Sequence, residues 1–166
     1  MQTRSFDFVT GAPEKYAYLV DALSTLGERT ASTLAGRNAA DVRHAPSGGW
    51  SAQQVLAHMA FLGRENRIFI RQVATMTEPE RRAFPSGYDD TELAQRPTAE
   101  LLSMLGADLA QIVELLSHTP DAAWGRPGYV RGARISLRQL VASHIAHFEE
   151  HLGQIAQVLA AAAAER

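Results

Sequence analysis

The chain has 166 residues, 46% of them hydrophobic and 20% charged, with a formal charge of −2, a balance that suits one globular domain with a single core. Near-neutrality argues against a basic face that would coat nucleic-acid phosphates, and no apolar run approaches the roughly 18 residues needed to span a bilayer. Cysteine is absent, which removes disulfides, thiolate ligands and a cysteine nucleophile, so any metal must be held by histidine, carboxylate or water.

The first sixteen residues, MQTRSFDFVTGAPEKY, lack the basic-then-apolar pattern of a secretion signal, and the cytoplasm is the expected location. The first predicted helix runs from Pro13 to Leu34, with Tyr16, Leu19, Val20, Leu23 and Leu26 on one stripe and Gly36 beyond its end. After SGGW, Ser51 and Gln54 form a capping box, in which each side chain satisfies a backbone N–H of the other. That opens a second helix to about Thr75, with Val55, Leu56, Met59, Leu62, Phe69 and Val73 facing inward. Met76 to Pro97 carries three prolines and little periodicity, and is read as a crossover or a segment covering a site.

A third helix fits Thr98 to Ser117, with Leu101, Leu105, Leu109, Ile112 and Leu116 on its buried face. The proline- and glycine-rich stretch that follows leaves room for a short hairpin around Tyr129 to Ile135. A fourth helix opens at a second capping box, Ser136 with Gln139, and continues through Leu140, Phe148, Leu152 and Ile155 into an alanine-rich end. Four long amphipathic helices without a competing strand pattern predict an all-α four-helix bundle in one domain.

Histidine is concentrated in ASHIAHFEEHLGQI. His147 and His151, four apart, lie on one face one turn from each other and can close on one ion. His144 is about 10 Å of rise from His151, too far to share that ion. From spacing alone, a pair of solvated or backbone-bonded histidines is the favoured reading. Two features favour the metal reading. The pair borders an apolar stripe of Ile145, Phe148, Leu152 and Ile155, where imidazoles need partners. His58 also stands on the core-facing stripe of the second helix, so three histidines from two helices would form a set with coordination positions left open, as in catalytic sites.

These elements resemble the DinB-like superfamily of metal-binding four-helix bundles. The resemblance is carried by GGWSAQQVLAHMA, with Trp50, Ser51 and His58, and by SLRQLVASHIAHFEEHLGQI, with His147, His151, Gln154 and Ile155. It implies up-down-down-up topology with a long crossover, and a divalent ion, nickel or zinc, on His58, His147 and His151. It also implies a thiol-dependent S-transferase, an isomerase or a hydrolase acting on a small molecule, with a low-molecular-weight thiol as a further cofactor. One departure stands out: many relatives have histidine where this chain has Glu150.

Glu65, His144 and Gln154 are the candidate catalytic or orienting groups. For Glu65 the plainer reading is a salt bridge with Arg64, Arg67 or another cation. For His144 it is a partly buried ring bonded to a carbonyl. Glu149 and Glu150 read as solvated charges, His44 and His118 as surface residues, and Trp50 as a staple on the bundle end. Arg126, Arg131 and Arg134 precede the last helix, and one of them could clamp a carboxylate of a substrate or cofactor. The competing function is a non-catalytic bundle that uses its metal structurally and binds a ligand or dimerises. A homodimer through outer helix faces is compatible with the pattern.

Overall fold

The computed structural model describes residues 13–83 and 90–165. Most of the N-terminal stretch read for a secretion signal, and residues 84–89 of the crossover, lie outside them. In chain order the elements are α1 (Glu14–Leu34), α2 (Ala39–Arg43), a 3₁₀ turn (Pro46–Gly48), α3 (Ala52–Thr75), β1 (Glu80–Arg81) and α4 (Asp90–Ala94). They continue with α5 (Thr98–Ser117), α6 (Asp121–Trp124), β2 (Pro127–Val130), β3 (Ala133–Ser136) and α7 (Leu137–Ala164). Both capping boxes form: Ser51 accepts from the Gln54 backbone N–H and Ser136 from that of Gln139, with each glutamine bonding back. They fix the starts of α3 and α7, the two helices that carry the histidine cluster.

Residue pairs across the helices give the topology. On α1, Gly27 lies beside Gly106 and Leu109 of α5, and Leu23 shares a cavity wall with Val113, so these two helices run antiparallel. On α3, Gln53 meets Thr98 and Arg67 meets Asp108, so α3 and α5 run parallel. Asn66 meets His144, while the rings of His58 and His151 are neighbours, so α3 and α7 run antiparallel. The order is up-down-down-up, with α1 and α3 each packed between α5 and α7. The returning chain is pinned where α3 starts: Gln53 donates to the carbonyl of Arg96 (2.7 Å) and accepts from Thr98 (2.7 Å).

A small sheet accompanies the bundle, its β2–β3 hairpin falling where the sequence leaves room for one and β1 adding to it. Its order is β1-β2-β3, with β1 parallel to β2 (Glu80 opposite Tyr129) and β2 antiparallel to β3 (Val130 opposite Ala133). The β2–β3 loop is Arg131-Gly132, both with positive φ, the pattern of a two-residue hairpin turn. Gly128 lets β2 lie flat on α3, since a Cβ there would come within 2.6 Å of Val73 Cγ2. The core is apolar and continuous, from Leu23 and Leu26 on α1 through Leu56 and Met59 to Leu105, Ile112 and Phe148. Trp124 is fully buried at the end of the bundle where α1 and α7 begin, stacked on Tyr16 with ring centroids 4.5 Å apart.

Candidate metal centre

His58 lies in the second turn of α3, on the stripe that buries Val55 and Leu62. His147 and His151 flank buried Phe148 and Leu152 on α7. The antiparallel packing of α3 and α7 brings the three together, with one donor atom from each within 4.8 Å of the others. The cluster sits at the edge of the core: His58 and His151 are half-buried and His147 is exposed. Its surroundings explain how each ring is presented. His151 Nδ1–H donates to Gln154 Oε1 (3.0 Å), which leaves Nε2 as a lone pair. That Nε2 stands 2.9 Å from His147 Nε2.

Two ring nitrogens so close require either a shared proton or a cation between them. Nitrogens about 2.1 Å from a divalent ion lie about 3 Å apart when they subtend a right angle there, so the pair fits an ion. Partial burial lowers the pKa of His147, and the neighbouring charges of His151 and His58 act in the same sense. Glu150, at the position where the resemblance leads one to expect histidine, opposes them. The neutral imidazole favoured by this balance is the form that binds metals.

The remaining sequence candidates divide. His144 is fully buried rather than partly so, and its partner is a side chain, not a carbonyl. Arg81 Nη1 donates to Asn66 Oδ1 (2.8 Å), and Asn66 Nδ2 in turn donates to His144 Nδ1 (2.8 Å). A guanidinium can only donate, so Asn66 must turn its amide nitrogen to the ring. The imidazole proton is thereby placed on Nε2, for which the described residues offer no acceptor. His144 thus belongs to a relay linking β1, α3 and α7, one turn from His147.

Burial pushes His144 down to about 3, with His147 and Arg81 adding to the effect. The unfolded chain takes up this proton near pH 6.5 and the folded chain only near pH 3, so stability is full above that window and is lost as pH falls through it. The expected loss between pH 7 and pH 5 is about 2 kcal/mol from this residue. Urea unfolding at the two pH values measures it, and His144→Gln should flatten the dependence.

Glu65 is seven residues past His58 on the same face, about 10 Å along the axis. Instead of meeting Arg64 or Arg67, it acts on the charge of Arg81 and lines a cavity with it. Gln154 orients His151. Trp50 is 43% exposed and packs T-shaped against His58, with 5.3 Å between ring centroids. Glu149 is not simply solvated, since it pairs with Arg29 of α1 (2.8 Å). Arg126 is tied to the carbonyl of Met76 (3.0 Å), whereas Arg131 and Arg134 stay exposed on the hairpin. His44 and His118 are exposed, as expected. Sequence reading missed Asn66 and Arg81. Asn66 carried the signal that found His58, a polar residue on the buried stripe of α3, whereas nothing local marked Arg81.

The DinB superfamily model matches residues 22–155, a span that includes all three histidines, the whole of α3 and the part of α7 that carries His147 and His151. The chain belongs to the DinB superfamily. Among solved structures, this DinB-superfamily chain is similar to YfiT from Bacillus subtilis, described as a probable metal-dependent hydrolase with an unusual four-helix bundle topology. The TM-score is 0.78 at 17% identity, covering 95% of this chain and 90% of that one, a likeness of fold. A comparison with curated proteins returned no match. Among the described residues, no helix is long and apolar enough to cross a membrane.

Proposed function

We propose that the chain is a metal-dependent enzyme acting on a small molecule, with His58, His147 and His151 as ligands of one divalent ion and hydrolysis as its reaction. The observation that carries this reading is the convergence of three imidazole donors within 4.8 Å, at a partly exposed position between two helices. Three protein ligands at an accessible site leave room for a substrate, whereas structural ions are enclosed by a full set. All-nitrogen donors suit nickel or zinc. The description of YfiT as a probable metal-dependent hydrolase favours hydrolysis over thiol transfer.

When bound, the ion would supply Lewis-acid chemistry, polarising a carbonyl and making a water or thiol nucleophilic near neutral pH. The residues of the chain do the rest. Gln154 holds His151 in the tautomer that presents Nε2. Partial burial, with the charges of His151 and His58 acting in the same sense, favours the neutral, metal-binding form of His147. The Trp50 ring packs beside His58 and offers an apolar wall to a substrate. Because the chain has no cysteine, any sulfur nucleophile would arrive with a small-molecule thiol.

Elemental analysis of protein purified without chelator tests the reading, together with ester and amide hydrolysis assays before and after metal removal. About one ion per chain is expected, with hydrolysis that stops on chelation and returns with nickel or zinc. Turnover only when thiols and electrophiles are supplied would instead assign an S-transferase. A metal whose removal lowers the melting temperature and affects no reaction would assign a structural ion.

A further inference from the structure

The sheet gathers positive charge in one place. Arg81, Arg82 and Arg131 line a cavity of about 170 Å³ together with Ala83 and Val130, and among the described residues no carboxylate lines it. The three guanidiniums are held differently. Arg82 pairs with Glu80 (2.9 Å). Arg81 is half-buried over the Phe69 ring, 4.8 Å from its centroid, and its Nη1 is fixed on Asn66. Glu65 supports the Arg81 charge from the α3 side, while burial and the nearby Arg131 oppose it. Among the described residues, Arg131 has no carboxylate partner.

Arg131 also occupies a costly backbone position. Its φ of +52° lies in the left-handed region, where glycine or asparagine is at ease and a long side chain is not. Its backbone N–H donates to the Arg81 carbonyl (3.0 Å), which fixes the hairpin tip over β1. The fold therefore holds an arginine at a turn position that would be easier with glycine, and aims it at a cavity already positive.

We propose that this cavity binds an anionic oxygen group, carboxylate or phosphate, held between the Arg131 and Arg81 guanidiniums. At about 170 Å³ it is below the size of a whole-ligand pocket, and it serves as an anchoring subsite. The Arg81–Asn66–His144 relay connects it to the α3–α7 seam that carries the histidines. Asn66 stands eight residues from His58, about 12 Å along α3. Resting on the enzyme reading above, the group held here belongs to the small-molecule substrate.

The test uses metal-free full-length protein labelled with ¹⁵N, titrated with sodium acetate, inorganic phosphate and, at matched ionic strength, sodium chloride. Saturable millimolar shifts of the Arg131 and Arg81 Nε–H signals and the Gly132 amide are expected with acetate or phosphate and not with chloride. The stronger of the two identifies the anion. Arg131→Gly should weaken the response at least tenfold while melting no lower than wild type, because glycine relieves the backbone, and it should retain its metal. Equal shifts with chloride, no saturation, or an unchanged response in Arg131→Gly would overturn the proposal. Saturable anion binding in a wild-type protein that takes up no metal would leave the subsite standing and remove the enzyme reading.

Discussion

Replacing His58 with alanine should lower metal affinity more than about 100-fold while leaving the helices in place. The comparison is with Gln154→Ala, which removes only the hydrogen bond that orients His151 and should fall in the 10–100-fold range typical of such outer contacts. His58 is the sole donor from α3 in the cluster. Without it, His147 and His151 remain an ordinary pair one turn apart on a single helix. His58 is half-buried at the edge of the core, outside the fully buried set whose truncation costs several kcal/mol. Isothermal titration with zinc or nickel, alongside far-ultraviolet circular dichroism, separates the two effects. A His58→Ala variant that still binds one ion with wild-type affinity would rule out the three-histidine site.

Trp124→Ala should do the reverse, weakening the fold and sparing the metal centre. Its ring is fully buried and stacked on Tyr16 at an interplanar angle of 15°, and its Nε1–H donates to the Thr119 carbonyl (3.2 Å). Truncation leaves a cavity and an unsatisfied carbonyl, a loss of about 3–5 kcal/mol. For a chain of this length that is roughly 10 °C or more in melting temperature. Trp124 lies where α7 begins, several turns from His147, so metal affinity in the folded variant should be nearly unchanged. A shift below about 2 °C would mean that this end of the bundle adds little to the stability of the whole.

The long helices were legible because their signals are local. Ser51 with Gln54, and Ser136 with Gln139, mark the helix starts within four residues, and the apolar spacing of α1, α3, α5 and α7 sets their buried faces. The histidine cluster was legible for a related reason: His58 interrupts an apolar stripe, and His147 and His151 share a helical face. What escaped notice depends on partners far away in the chain. β1 spans two residues and has no periodicity to read, and its strand character exists only through Tyr129 and Val130. Arg81 looked like any exposed arginine until the sheet laid it over Phe69 and against Asn66. Trp50 occupies the staple position ahead of a helix, yet its ring is spent on His58. The hairpin for which the sequence left room around Tyr129 to Ile135 is present, and Gly128, which read as a breaker, is what lets β2 press against α3.

The up-down-down-up course has a kinetic consequence. The bond between Asn66 and His144 closes a separation of 78 residues, and the histidines meet across a similar length of chain, with α5 and the sheet in between. Contacts so distant are slow to form, since the entropy of bringing the ends together must be overcome first. The full set of three donors cannot gather early here, because His58 does not meet His147 and His151 until α7 has joined α3. Acquisition of zinc or nickel in a refolding experiment would therefore report the final docking event, trailing the appearance of helical signal.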